Sequence, residues 1–196
     1  MAAQRNAYKR AWFWRRARAL HHDRFIFVDE AGVNTAMTRR FARAPRGERA
    51  CESVPRNYGE QTSVISALSL RRGLLATMTV TGAVDTLCFD AYVARVLSPH
   101  LRRGDVVVLD NLGAHKASCL EQVAEARGAR VLWLPPYSPD YSPIENCWSK
   151  IKTALRAAKA RTRDELEKAL AKAIELVTSA DVRGWFKLCG YSVARK

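Results

Sequence analysis

The chain has 196 residues, of which 48% are apolar, and this length suits one domain with a full-sized core. Its formal net charge of +14 favours a phosphate-rich partner, with nucleic acid as the leading candidate ahead of an anionic membrane surface or a merely basic protein. No apolar run approaches the roughly 20 residues of a membrane span, and the cysteines form no Cys-x-x-Cys pair, so a membrane partner, a zinc site and a disulfide framework are not expected.

The first 23 residues are basic, with arginines and lysines placed around Trp12, Phe13 and Trp14. Such a mixture of charge and aromatic rings can bind nucleic acid. The alternative is a short helix whose rings pack on the core while its arginines face water, and the crowding of three bulky rings favours this alternative slightly. We therefore treat residues 1–23 as a basic segment, part linker and part helix, that precedes a single folded domain at residues 24–196.

Apolar or alternating segments predict the strands, and segments with helical periodicity predict the helices. The predicted strands cover residues 24–30, 62–70, 74–81, 106–109 and 131–134. A polar connection at residues 31–60 follows the first strand, and helices follow each of the last three strands. This order of elements predicts an α/β fold with a mixed five-stranded sheet that helices cover on both faces.

Two aspartates follow runs of four apolar residues. Asp29 ends the first predicted strand and is followed by Glu30, and Asp110 ends the fourth strand and is followed by Asn111. Aspartate is common where a strand gives way to a turn. However, charge at a buried strand end is costly unless function or a metal ion compensates for it, and sites collect where adjacent strands end. We therefore expect the two aspartates to converge.

Glu145 lies in the proline-rich segment at residues 135–148 and has two interpretations. Ser142-Pro143-Ile144-Glu145 fits a helix capping box, in which the glutamate bonds to the backbone at the helix start. The local sequence favours capping, but a glutamate in the first turn of a helix could also reach a metal ion. Asp140, in the same loop, is the strongest rival candidate for the third carboxylate. Glu30 and Asp105 are weaker candidates for that position.

Histidines supply further possible ligands or bases. His115 follows Asp110 within one short loop, so it is a candidate for contact with the substrate or with a ligand of the metal ion. The pair His21-His22 is a weaker candidate, and an isolated histidine is more often a packing or capping residue. Three converging carboxylates would repel one another unless a cation lay between them, which predicts a divalent-metal site for phosphoryl-transfer chemistry on a polyanion.

Three motifs place these residues in a wider context. They are FVDEAG at residues 27–32, VLDNLGAH at residues 108–115 and LPPYSPDYSPIENCW at residues 134–148. Together they resemble the catalytic domain of DDE transposases, in the bacterial insertion-sequence branch of the mariner-like superfamily. The 34 residues between Asp110 and Glu145 are the spacing typical of that superfamily, and the third motif is highly specific.

The resemblance implies a ribonuclease H-like fold for residues 24–196. Asp29, Asp110 and Glu145 would be the catalytic residues and the ligands of two Mg²⁺ or Mn²⁺ ions, with Asp29 touching both. The substrate would be DNA, at transposon ends and at the target, and cleavage would be followed by strand transfer. Further candidates for contacts with ligands or DNA are Glu30, Asn111, His115, Lys150 and Lys152.

The same resemblance sets expectations about partners. Members of the family usually carry helix-turn-helix modules ahead of the catalytic domain, whereas about two dozen residues precede the first strand here. A separate helix-turn-helix subunit is therefore a possible partner, besides a second copy of the chain in an active homodimer. The implied location is the bacterial cytoplasm, in association with the nucleoid. The alternative functions are a truncated noncatalytic DNA-binding remnant or partner subunit, and a ribonuclease H-like nuclease without joining activity.

Overall fold

The computed structural model of the protein describes residues 6–55, 59, 61–110 and 119–193. The strands are β1 (Phe25–Asn34), β2 (Gln61–Ser69), β3 (Gly73–Thr81), β4 (Val106–Leu109) and β5 (Arg130–Trp133). The helices are α1 (Ala7–Arg18), α2 (Thr86–Tyr92), α3 (Leu120–Ala126), α4 (Pro143–Ala158), α5 (Arg163–Glu175) and α6 (Ser179–Leu188). None of the helices in these ranges is both long and apolar enough to span a membrane.

The strands form one mixed sheet in the order β3-β2-β1-β4-β5. Strands β1, β2 and β3 form an antiparallel meander, while β4 runs parallel to β1 and to β5. The parallel pairs need crossover connections, and α2 and α3 supply them. The predicted mixed five-stranded sheet is therefore confirmed.

Strand β1 is longer than its apolar run predicts. The prediction that the strand stops near Asp29 and that a loop begins at residue 31 is wrong, because β2 pairs with β1 from Ile26 to Asn34. Asp29 thus lies in the middle of β1, opposite Ser66 of β2. On the other side of β1, pairing with β4 is recorded only as far as Phe27 and Val108. Asp29 lies just beyond that last pair, at the level where the neighbouring strand ends.

Side chains of the central strands alternate between two cores, one on each face of the sheet. Phe25 and Phe27 belong to the core that contains α1, α4, α5 and α6. Ile26 and Val28 belong to the opposite core, with α2 and α3. Helices therefore cover both faces, as predicted. By the same alternation Asp29 lies on the face that packs against α4.

Helix α1 packs on the sheet through one side. The Asn6 side chain caps the helix by accepting a hydrogen bond from the Lys9 backbone N–H at 2.9 Å. Phe13 and Ala17 are fully buried in the same core as Phe25. The predicted short helix is thus present, and of its rings Phe13 packs in the core whereas Trp12 remains 39% exposed. The division of the chain at residue 23 stays a prediction.

The hairpin of β2 and β3 contains an irregularity that its alternating sequence does not indicate. The register shifts between Ile65 and Ala67, and Ala76 adopts a left-handed conformation with φ of +52°. At this irregularity the Ser66 hydroxyl donates a hydrogen bond to the Leu75 carbonyl oxygen at 3.1 Å, which gives that backbone group a partner. Because Ser66 is also the β2 partner of Asp29, this β-bulge lies at the level of Asp29 in the sheet.

Candidate active site

A cleft of about 580 Å³ opens at the carboxyl end of β4, and we call it the carboxylate cleft. Asp29, Asp110 and Glu145 all line it. Its remaining walls come from Val28, Ser142 and residues 134–139 of the proline-rich loop. The structure thus brings the three predicted carboxylates from a strand, a strand end and a helix start into one opening.

Asp29 is held in place by the indole of a buried tryptophan. Trp148, in α4, donates a hydrogen bond from Nε1 to Asp29 Oδ2 at 3.0 Å. Helical periodicity predicts that Trp148 lies on the apolar face of its helix, and that face is indeed buried. The contact with Asp29 was not predicted, although a buried tryptophan usually places its indole N–H against a hydrogen-bond acceptor.

The carboxylates lie close enough to influence one another's ionisation. Burial raises the pKa of Asp29 to about 7, and the charge of Glu145 adds to this effect, as does the weaker influence of Asp110. The backbone N–H of Glu30 and the indole of Trp148 act in the opposite direction, because both stabilise the ionised form. Negative charge at Asp29 is therefore unfavourable in the protein alone.

Glu145 lies in the first turn of α4 and is exposed at the cleft. Local desolvation raises the pKa of its carboxyl group, Lys152 lowers it and Asp110 raises it again. The predicted capping box is wrong, because the Ser142 side chain makes no hydrogen bond to the helix start and lies instead in the cleft wall. Only the Ser142 carbonyl oxygen bonds to Glu145, accepting from its N–H at 3.2 Å.

Glu30 and Asp105, two rival candidates for the third carboxylate, lie away from the cleft. Glu30 follows Asp29 directly and so lies on the opposite face of β1, where its charge adds to the burial that raises the pKa of Cys88. Asp105 precedes β4 at the far end of the sheet, is buried, and accepts a hydrogen bond from Arg72 Nη2 at 2.7 Å. Neither residue is among those that line the carboxylate cleft.

Asp140, the strongest rival candidate, is bound by Arg10 of α1. The guanidinium donates from Nη2 to Asp140 Oδ2 at 2.7 Å and from Nη1 to Oδ1 at 3.1 Å. It also donates from Nη1 to the Ser138 hydroxyl at 2.7 Å and lies 3.8 Å from the centre of the Tyr141 ring. We call these contacts the Arg10 clamp. They connect α1 to the loop that forms one wall of the carboxylate cleft.

Of the histidine pair, His22 has a structural role, whereas His21 is exposed. His22 is buried, its Nε2 lies 3.1 Å from the Ala17 carbonyl oxygen, and its Nδ1 accepts from the Ser192 N–H at 2.8 Å. These two contacts assign the proton to Nε2. His22 therefore joins the end of α1 to the C-terminal segment, and neither nitrogen is available as a metal ligand.

The two lysines of α4 differ in their surroundings. Lys150 forms an ion pair with Asp181 of α6 at 2.6 Å, on the side of α4 that packs against that helix. Lys152 acts on Glu145 instead, seven residues away and two helical turns along the same face. Of the two, only Lys152 is placed where it influences the carboxylate cleft. Asn111 and His115 lie outside the described residues.

The donor set of the cleft fits a hard divalent cation. In residues 6–55, 59, 61–110 and 119–193, no group of three or more His, Cys, Asp or Glu side chains is gathered tightly enough to hold a metal ion by itself. Mg²⁺, however, is usually bound by one or two carboxylates together with substrate phosphates and water, rather than in an all-protein cage. The repulsion that raises the pKa of Asp29 is also the kind that a bound cation relieves.

Comparison with known proteins places this geometry in a family. The sequence profile of a family described as DDE superfamily endonuclease matches residues 24–167. No curated protein matches the chain. Similar solved structures exist, and those described below are at most 18% identical to the chain, so they bear on the fold alone.

Three of these structures illustrate the similarity. The Mos1 transposase paired-end complex with left transposon end has a TM-score of 0.73 and 16% identity, over 96% of this chain and 61% of the other. The Mos1 mariner paired end complex with Mn has a TM-score of 0.69 and 18% identity, over 94% and 60%. The catalytic domain of Mos1 mariner transposase has a TM-score of 0.64 and 16% identity, over 92% and 84%.

The chain thus spans only 61% and 60% of the first two of these Mos1 chains, but 84% of the isolated catalytic domain. The predicted ribonuclease H-like fold is confirmed by this similarity. Because the family profile covers well over half of the chain, including every carboxylate of the cleft, the chain belongs to the DDE superfamily endonuclease family.

Proposed function

We propose that this chain is the catalytic domain of a transposase, which cleaves DNA and transfers the cut strand with the help of two Mg²⁺ or Mn²⁺ ions. The observation that carries the proposal is the meeting of Asp29, Asp110 and Glu145 in one cleft, where burial and mutual repulsion raise the pKa of Asp29 to about 7. Membership of an endonuclease family supports the same chemistry.

The chain's own residues position and tune the carboxylates. Trp148 fixes the rotamer of Asp29 through its indole hydrogen bond, and the pairing of β1 with β2 fixes the backbone beneath it. Glu145 is carried by the rigid start of α4, with Lys152 two turns further along. Divalent ions, when bound, would supply the positive charge that activates an attacking oxygen and stabilises the leaving one.

The partners in this proposal are DNA and other protein chains. The net charge of +14 suits a DNA backbone, and one of the Mos1 structures described above is a paired-end complex with a left transposon end. We include transposon ends and target DNA as substrates, a second copy of the chain in the active complex, and a separate helix-turn-helix subunit that reads the ends. A bacterial, nucleoid-associated location in the cytoplasm belongs to the same proposal.

The test is a cleavage and joining assay with the purified chain, Mn²⁺ and labelled duplex DNA. We expect Asp29→Asn, Asp110→Asn and Glu145→Gln each to reduce cleavage at least about a hundredfold, because the charge at the reacting phosphate is lost. Glu30→Gln is the matched control, since it neutralises the adjacent carboxylate on the other face of β1, and it should retain wild-type cleavage. Equal losses in Glu30→Gln and Asp29→Asn would contradict the assignment.

Strand transfer is tested with DNA whose ends are already cut. Joining of these ends to a target by the wild type, and its loss in Asp110→Asn, supports a transposase. Cleavage without joining would favour a ribonuclease H-like nuclease. Binding with neither reaction, at several Mn²⁺ concentrations, would favour a noncatalytic remnant or partner subunit.

A further inference from the structure

A second groove, of about 370 Å³, lies between α1 and the chain that leaves β5. We call it the aromatic groove, and its walls include Tyr8, Lys9, Trp12, Trp133, Pro135 and Pro136. The two prolines also line the carboxylate cleft, so one loop separates the two openings. A ligand strand that leaves the cleft would have to pass only this loop to reach the groove.

Helix α1 presents aromatic rings in two different ways. Phe13 is 1% exposed and belongs to the core, whereas Tyr8 is 80% exposed and Trp12 is 39% exposed. Tyr8 and Trp12 are four residues apart, which places both on one face of the helix, and both line the aromatic groove. Large rings exposed side by side next to a cleft are typical of binding surfaces rather than of a packed core.

Cationic side chains lie beside the rings of the groove. Lys9 lies in its wall, and the guanidinium carbon of Arg16 lies 4.7 Å from the centre of the Trp12 ring. The described part of α1 contains no acidic residue. Trp133 contributes a ring whose N–H already donates to Glu121 Oε1 at 3.0 Å, which fixes its orientation. Rings for stacking beside positive charge for phosphates are the features of a site for unpaired nucleotides.

We propose that the aromatic groove binds an unpaired base at the DNA end, which stacks on Trp12 and Tyr8 while its strand continues past Pro135 and Pro136 into the carboxylate cleft. An unpaired base fits this site best, because bases inside a duplex have both faces covered by their neighbours and a terminal pair exposes only one face. The inference rests on the proposed function, since it names the form of DNA that the same site would take.

The test compares two DNA ligands with the full chain in the presence of a chelator. One is a blunt duplex and the other is the same duplex with a short single-stranded extension that carries the fluorescent base 2-aminopurine. We expect tighter binding of the extended duplex and quenching of its fluorescence by the stacked rings. Trp12→Ala should weaken binding of the extended duplex about tenfold, and of the blunt duplex less than about twofold.

Two further variants make this result specific. Trp12→Phe keeps a ring and should retain most of the preference for the extended duplex. Phe41→Ala is the matched control, because Phe41 is 90% exposed and is not among the residues that line the aromatic groove, and it should bind both ligands as the wild type does. If Trp12→Ala lowers the melting temperature, Tyr8→Ala replaces it, since a side chain that is 80% exposed contributes little to folding.

Several outcomes would overturn the proposal. Equal losses on both ligands would show that α1 contacts only the DNA backbone, and unchanged binding in the Tyr8 and Trp12 variants would show that the groove is not used. Because the chelator prevents metal-dependent cleavage, the result is independent of the catalytic proposal. A preference for the extended duplex without any cleavage in Mn²⁺ would support the nucleotide site in the groove and contradict the proposed enzymatic activity. Asp110-dependent cleavage without that preference would support the enzymatic activity and contradict the nucleotide site.

Discussion

At the scale of single residues, Asp29 shows how the proposed site differs from an ordinary surface carboxylate. Its pKa of about 7 lies well above the ordinary value of 3.8, mainly because the group is desolvated and faces Glu145. A raised pKa means that ionisation reduces the stability of the folded state, by an amount that grows as pH rises from the ordinary pKa to the folded one. Function and stability therefore oppose each other at this position.

Asp29→Asn removes that unfavourable charge. In chelator at about pH 8, we expect the variant to melt at the same temperature as the wild type or higher, because Asn still accepts from the Trp148 indole. At about pH 4 the difference should shrink, since Asp29 is then protonated in the folded protein. Added Mn²⁺ should raise the melting temperature of the wild type alone. A clear loss of stability in chelator would indicate a structural role instead.

His22 makes stability depend on pH in a different range. Burial lowers its pKa below the ordinary value of 6.5, while the Ala17 carbonyl oxygen and the charge of Asp23 act in the opposite direction. The hydrogen bond that Nδ1 accepts from the Ser192 N–H requires the neutral ring. The unfolded chain then binds the proton more readily than the folded one, so stability falls as pH decreases below about 6.5.

His22→Phe should therefore melt below the wild type at about pH 8, and the gap should narrow at about pH 5.5. Thermal unfolding followed by circular dichroism across this range measures the effect. His21→Gln, at the exposed neighbouring position, is the control and should keep the wild-type pH dependence. A gap that stays constant with pH would show that His22 does not titrate in this range.

At the scale of whole elements, the Arg10 clamp connects α1 to the proline-rich loop. One guanidinium bonds to Asp140 and Ser138 and stacks on Tyr141, so it fixes three positions of the loop at once. The Arg10 side chain is 17% exposed and Asp140 is 41% exposed. The ion pair alone is therefore worth about 1 kcal/mol or less, and the contribution of the clamp lies mainly in geometry.

Arg10→Ala should lower the melting temperature modestly and reduce DNA cleavage, because the loop wall beside Glu145 loses its support. Arg10→Lys should restore little of either, since a point charge cannot reproduce the forked hydrogen bonds and the stacking. A double-mutant cycle with Asp140→Ala measures the coupling of the pair. Full rescue by lysine would show that only the charge matters.

Elements with strong local signals were predictable from the sequence. Residues 74–81 alternate between apolar and polar side chains, which predicts β3. Thr162-Arg163-Asp164-Glu165 has the sequence of a capping box, which predicts a helix start, and both capping hydrogen bonds are present at the start of α5. The extension of β1 past Asp29 was not predictable, because β2 determines it. The β-bulge at Ala76 and the Arg10 clamp were not predictable either, because both depend on contacts with other parts of the chain. The clamp joins residues up to 130 positions apart.

In the site, too, features that depend on local sequence were predictable, whereas contacts between distant parts of the chain were not. The resemblance carried by the three motifs selected Asp29, Asp110 and Glu145, whereas the local sequence alone favoured capping for Glu145. The structure places all three around one cleft, and their catalytic role stays a prediction. The role of Trp148 was missed, because its periodic position in α4 indicates only burial and not what its N–H reaches across the core. The sequence at Ser142 fits a capping box, but the residue lies in the cleft wall and its side chain makes no capping hydrogen bond.

At the scale of the whole molecule, the proposed attraction to DNA and the proposed chemistry on DNA would depend on different residues. The net charge of +14 belongs to the whole chain, whereas the carboxylates of the cleft contribute local negative charge. Neutralising phosphates releases counterions, so affinity falls steeply as salt concentration rises. Binding can therefore be intact in a variant that has lost all activity.

We expect the logarithm of the affinity for a blunt duplex to fall linearly with the logarithm of salt concentration, by about a thousandfold between roughly 50 and 200 mM if at least six phosphates are contacted. Asp110→Asn should keep this slope while abolishing cleavage. Fluorescence anisotropy at several salt concentrations measures it. A flat salt dependence would contradict nonspecific electrostatic binding.

The position of Asp29 inside β1 also determines which changes of chain length the protein can accept. A one-residue insertion or deletion between Phe25 and Asp29 would reverse the alternation of β1 and turn the carboxylate toward α2, away from Trp148. Pairing on both edges of β1 prevents the strand from slipping to compensate. Length variation among related chains should therefore be absent from this part of β1 and occur instead in the connection between β1 and β2.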